Sequence, residues 1–166
     1  FFNLIKYESG KIRRVPATLR GNKAYAWYQG ERMEQIQVEI DKAAKIAGEY
    51  TNILFLTLTH EYDKTNIASI RESWNVVPER LTKFMRKLKT KFPILHYVAV
   101  LEAHEGGGCH SHVVLVLPEA VHCWKDADGN LRLPDTYRDT IAELWTENVD
   151  VKGSYSPDVA GYLTKE

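Results

Sequence analysis

Cysteine is scarce in this chain, with Cys109 and Cys123 the two in 166 residues. Two thiols build neither a disulfide framework nor a Cys-x-x-Cys zinc knuckle, so both are expected to be reduced. Long apolar runs are missing too. No stretch approaches the roughly 20 residues of a membrane span, and the opening FFNLIKYESGK has too short a hydrophobic region for a secretory leader. The expectation is a cytoplasmic protein with no membrane association. Charge of one sign is not in excess, since 22 basic side chains balance 22 acidic ones. That excludes a protein that coats nucleic acid by bulk electrostatics. Basic residues still gather locally, in GKIRRVPATLRGNK and again between Arg80 and Lys91, where six stand with no acid among them.

What remains, 44% hydrophobic and 27% charged residues, suits one globular domain. The chain has no initiator Met and ends at GYLTKE without a helix-stop signal, so it reads as an excerpt of a longer protein. Its most informative stretch is LEAHEGGGCHSHVVLVL, residues 101–117. Alternate residues of a strand share a face, so His110 and His112 project together while Ser111 points away. The preceding run ILHYVAVLEA is a second strand, and the glycines between permit the positive φ of a hairpin turn. With the turn centred near Gly106, Glu102 falls opposite His110. Glu102, His110 and His112 then form a three-ligand site for a divalent cation, with positions left open for substrate or water.

The other elements follow from periodicity. Met33, Ile36, Ile40, Ala43 and Ala44 recur at helical spacing, with Gly48 as the stop. NILFLTLTH reads as a central strand whose second face, Ile53, Phe55, Thr57 and Thr59, turns polar toward its end. From Pro78, the stripe Leu81, Phe84, Met85 and Leu88 marks a helix with basic residues on its other faces. PEAVHCWKDADGNLRLP reads as a polar connection with a tight turn at DADGN. DTYRDTIAELWTENV is a helix with Tyr137, Ile141, Leu144 and Trp145 inward, and VDVKGSY is a short strand. SPDVAGYLTKE opens a last helix with Ser156 as N-cap and Pro157 in the first position. After a variable N-terminal segment of residues 1–50, the order is β, α, β, β, α, β, α over a core of residues 51–166. This is the α+β, ferredoxin-like split βαβ arrangement: a central antiparallel sheet with helices mainly on one face and the metal site on the other.

Asp158, Tyr162 and Lys165 share one face of the last helix. A tyrosine can act as a covalent nucleophile, and a nearby cation and ammonium both favour its phenolate, whose ordinary pKa is about 10. The electrophile that suits this pairing is a phosphodiester, polarised by Mn²⁺ or Mg²⁺.

LTLT in the first strand, the Glu102 to His110 interval with HSH, and SPDVAGYLTK together resemble the ordered motifs of rolling-circle replication initiators, the His-hydrophobic-His (HUH) endonucleases. The resemblance covers residues 52–166 and is nearest the single-tyrosine type of single-stranded DNA viruses and related plasmids. It implies that Glu102, His110 and His112 bind Mn²⁺ or Mg²⁺, and that Tyr162 nicks single-stranded origin DNA, helped by Lys165. The 5′ phosphate stays on the tyrosine and a 3′-OH is freed for a polymerase. Asp158, Thr57 and Thr59 become supporting residues, host DNA polymerase and helicase become partners, and a eukaryotic virus would place the protein in the host nucleus. Ser111 departs from the family's hydrophobic middle residue, but it points away from the metal. Two other readings compete: a zinc-dependent hydrolase using Cys109, His110, His112, His122 and Cys123, and a non-catalytic RNA-binding ferredoxin-like module.

Overall fold

The computed structural model describes residues 2–6, 12–16, 23–156 and 158, with side chains from residue 31 onward. Two compact units divide the chain, Phe1–Ile36 and Gln37–Glu166. In the first, β1 (Phe2–Lys6) and β2 (Ile12–Pro16) pair antiparallel, with Phe2 opposite Pro16 and Lys6 opposite Ile12. Helix α1 (Lys23–Ala43) begins well before Met33, and its residues from 37 belong to the second unit. It stops short of Gly48. The buried Asn52 side chain ends it, donating from Nδ2 to the Ala43 carbonyl at 2.9 Å and accepting the Lys45 N–H at 2.7 Å. Gly48, at φ 58°, instead makes the turn between β3 (Ile46–Ala47) and β4 (Tyr50–Thr59).

The second unit then runs through α2 (Ile67–Lys91), β5 (His96–Ala103), β6 (Cys109–His122), β7 (Trp124–Lys125), β8 (Leu131–Arg132), α3 (Asp135–Trp145) and β9 (Val149–Gly153). Its main sheet is antiparallel, with β4 and β6 central, β5 on the far side of β6, and β9 and β3 on the far side of β4. Each helix connection spans a strand contributed by the other half, so β4-α2-β5 and β6-α3-β9 interlock as two split βαβ units. This is the ferredoxin-like α+β fold expected from the order of elements.

Leu54, Leu56 and Leu58 of β4, with Cys109, Val113, Leu115 and Leu117 of β6, face the helices. They pack with Val77, Phe84, Met85, Leu88, Ile141 and Trp145 in one buried core. The opposite phase of the same strands carries Thr57, Thr59, His110 and His112.

Two further expectations need correction. Helix α2 starts at Ile67, eleven residues before Pro78, and Pro78 lies inside it. Asn66 caps the start, its side chain accepting the Ala68 N–H at 2.9 Å. The stripe of Ser73, Val77, Phe84, Met85 and Leu88 is buried over the whole length, and this packing outweighs the roughly 3 kcal/mol cost of an interior proline. The connection after Leu117 is also strand, since β6 continues to His122 opposite Tyr50. The ladder shifts register between Thr51 and Ile53, which pair with Val121 and Val116, and Pro118 lies in the interval skipped. A bulge accommodates the residue that lacks an N–H donor. DADGN does form a tight turn, between β7 and β8, with Gly129 at φ 79°.

Candidate metal centre

The site begins with a turn. The His104 N–H donates to the Gly108 carbonyl at 2.7 Å and the Gly107 N–H to the His104 carbonyl at 2.6 Å, with Gly107 at φ 86°. This is a three-residue hairpin loop closed by a left-handed glycine. The loop sets the register, and Glu102 stands directly opposite His110 while Val100 faces His112. The turn is held from outside as well. Trp74 Nε1 donates to the Gly107 carbonyl at 3.0 Å, and the Tyr62 ring lies where a Cβ on Gly108 would come within 2.2 Å of it. Ser73 Oγ accepts the Cys109 N–H at 2.8 Å, fixing the start of β6 on α2.

On the sheet face away from α2 and α3, the two Nε2 atoms of His110 and His112 are 2.9 Å apart. Glu102 Oε2 is 3.3 Å from His112 Nε2 and 3.9 Å from His110 Nε2. Imidazole nitrogens this close need a proton or a cation between them. Neighbouring donors in an octahedral shell of about 2.1 Å radius are separated by about 3 Å, so one divalent cation fits the set. Among the described residues, this is the group of three whose ligand atoms converge, all within 4.8 Å.

The surroundings favour a neutral His110. Burial holds the His110 pKa below its ordinary value, and the neighbouring His112 lowers it further, against an opposing pull from Glu102. Thr57, opposite His112 on β4, has Oγ1 3.2 Å from His112 Nδ1. With the proton on Nδ1, the Nε2 lone pair is left facing the centre. His110 Nδ1 is buried without a hydrogen-bond partner.

Thr59 stands opposite His110, and its backbone is fixed on both sides: its N–H donates to Asn148 O at 3.0 Å and its carbonyl accepts Trp145 Nε1 at 2.8 Å. Asp158 is exposed, its N–H donating to Ser156 Oγ at 3.2 Å, the bond an N-cap serine makes. Tyr162 and Lys165 lie outside the described residues, as does the rest of the expected last helix. Tyr155 donates its hydroxyl to the Cys123 carbonyl at 3.3 Å and packs against the core. The competing zinc ligands are not brought together. Cys109 and Cys123 are both in the helix-side core, burial pushes the Cys109 thiol up to about 11, and His122 lies beside Glu49.

One residue at the site is missed by the sequence reading, which counts His104 as part of the turn. Its ring meets that of His110 edge-on at 5.6 Å, and its Nδ1 is buried without a partner. The signal is available, because strand alternation from Glu102 carries His104 to the same face.

A split βαβ sheet with two imidazoles and a carboxylate converging on the face away from α2 and α3 defines an α+β protein with a set of side chains that could hold a cation. Residues 53–166 match the family model of the replication-associated protein ORF2, and the chain belongs to that family, among the replication initiator proteins. No curated protein and no solved structure matches the chain. Among the described residues, no helix is long and apolar enough to cross a membrane.

Proposed function

We propose that the chain is the HUH-type, single-tyrosine nicking domain of a replication initiator, cutting and rejoining single-stranded origin DNA through a covalent 5′-phosphotyrosine. The observation that carries this is the convergence of Glu102, His110 and His112 within the span that matches the replication family. These three residues hold Mn²⁺ or Mg²⁺, and Thr57 orients His112. When bound, the cation supplies polarisation of a non-bridging phosphate oxygen. Tyr162, deprotonated with help from the Lys165 ammonium, attacks phosphorus. A bond forms from the phenolic oxygen to phosphorus and the bond from phosphorus to the 3′ oxygen breaks. The departing oxygen takes a proton and becomes the 3′-OH that a host polymerase extends while a helicase unwinds the duplex. Attack by a 3′-OH on the phosphotyrosine reverses the steps and reseals the strand.

The test is denaturing electrophoresis after incubation with Mn²⁺ and labelled single-stranded oligonucleotides tiling the parent replicon. A protein-DNA adduct is expected from the wild type and none from Tyr162→Phe, which deletes one oxygen and keeps the ring. His110→Ala with His112→Ala is expected to abolish nicking with the circular dichroism spectrum preserved, because the pair binds the ion and contributes little to the helix-side core. An adduct from the Phe variant would move the nucleophile elsewhere, with Tyr155 the next candidate.

A further inference from the structure

Strand β5 is the outer strand of the main sheet, and a groove of about 400 Å³ runs along its helix side. Leu81 and Met85 of α2 line its floor with Ala99 of β5, while Tyr97, Arg86 and Lys89 form its rim. The Lys89 ammonium sits 4.6 Å from the centre of the Tyr97 ring, which remains 44% exposed.

The charges along α2 divide into two groups. Arg80 is paired with Glu147 and Lys83 with Glu79. Arg86, Lys87, Lys89 and Lys91, further along the helix, have no carboxylate partner among the described residues, and no acid interrupts them in the sequence. A chain of zero net charge has therefore concentrated uncompensated cations beside an exposed aromatic ring and a shallow apolar floor. Cations for the backbone and an aromatic face for the bases are the two requirements of a sequence-tolerant single-strand site.

We propose that this groove between α2 and β5 is a second binding site for single-stranded DNA, distinct from the centre at Glu102, His110 and His112. Arg86 and Lys89 contact phosphates, and a base packs against Tyr97. The proposal rests on reading the chain as an enzyme that acts on single-stranded DNA. Tyr97 and Glu102 lie on opposite faces of β5 and, at the usual strand rise, about 16 Å apart along it. A strand leaving the cation site reaches the groove by rounding the outer edge of β5, with which no further strand pairs among the described residues. The groove then holds DNA flanking the cut, which keeps the severed end near the protein until rejoining.

The test is fluorescence anisotropy of a labelled oligothymidylate with the whole chain in EDTA, so that the cation site does not contribute through metal. Arg86→Glu with Lys89→Glu is expected to weaken binding about tenfold or more and to flatten the dependence of affinity on salt. Tyr97→Ala is expected to weaken it about fivefold or more, whereas Tyr97→Phe keeps the ring and is expected to bind like the wild type. All these residues are on the surface, and Mn²⁺ affinity measured by calorimetry is expected to stay unchanged. Wild-type affinity in both the charge-reversed and the Tyr97→Ala proteins would overturn the groove. So would polyglutamate competing as well as DNA, which would assign it to an acidic protein segment. If groove variants bind DNA normally while the wild type still forms its adduct, only the groove is lost. If the wild type forms no adduct but groove variants still lose DNA affinity, the groove stands and the nuclease reading falls.

Discussion

His110 and Cys109 are neighbours in sequence and show what one residue of strand alternation does to chemistry. Cys109 turns into the helix-side core, where burial raises its thiol to about 11 and keeps it protonated. His110 turns to the opposite face, where burial lowers its imidazole pKa and favours the neutral form a cation needs. Neutrality alone does not aim a ligand. His112 is aimed by Thr57, whose hydroxyl is 3.2 Å from Nδ1 on the far side of the ring from the centre. Thr57→Val keeps the branched shape that suits β4 and deletes this contact. Mn²⁺ affinity is expected to fall about tenfold, the lower end of what loss of such an orienting partner costs, with little change in thermal stability. Calorimetric titration with Mn²⁺ checks it, and an unchanged affinity would show that packing alone orients His112.

At the scale of the element, the hairpin between β5 and β6 carries the site, and its turn has little latitude. Gly107 needs its positive φ, while Gly108 needs the absence of a side chain, because Tyr62 occupies the space a Cβ would take. Gly108→Ala is expected to destabilise the protein by about 1–3 kcal/mol through this overlap, measured by urea unfolding. In a Tyr62→Ala background the same change should cost clearly less, and equal costs in both backgrounds would place the strain elsewhere. The register of this hairpin was legible in the sequence because everything that sets it is local: a glycine turn, two alternating strands and a short loop. The interlocked order of strands and helices was legible for a similar reason, since each element has its own period. Three features were hidden because they depend on distant partners. Pro78 looked like a helix start until the buried stripe from Ser73 to Leu88 carried the helix through it. Pro118 looked like the end of a strand until the bulge opposite Thr51 absorbed it. The end of α1 is set by Asn52, nine residues beyond Ala43, where no helix-stop pattern points.

At the scale of the whole second unit, the two interlocked βαβ halves are joined by their shared sheet, by helix contacts and by a polar clasp. Phe84 meets Trp145 edge-on at 5.6 Å, and Phe92 stacks on Tyr137 at 5.0 Å, so α2 and the α3 region pack directly. The clasp is centred on Arg80 of α2. Its guanidinium lies 4.4 Å from the centre of the Trp145 ring and bonds the Trp145 carbonyl at the end of α3 and Glu147 just beyond it. Glu147 in turn accepts the Glu61 N–H at 3.0 Å and lies 3.1 Å from His60 Nδ1, at the end of β4. One carboxylate thus ties the middle of α2 to the ends of α3 and β4, close to Thr57 and Thr59. Burial raises its pKa, but the Arg80 bond, the Glu61 N–H and the nearby positive charge outweigh it, and the net value lies below the ordinary 4.5. A carboxyl whose folded pKa is depressed adds stability above its unfolded value and loses that contribution as pH falls through the folded one. Glu147→Gln keeps the shape and one acceptor but never carries the charge. It is expected to cost about 1.5–3 kcal/mol at neutral pH, the range for a hydrogen bond to a charged group. The gap from wild type should close as the pH drops below 4.5 and the native carboxyl becomes protonated. Urea unfolding of both proteins across that range decides it. A gap that stays constant into acid would mean that Arg80 holds Glu147 by shape and hydrogen bonding, with no contribution from its ionised form.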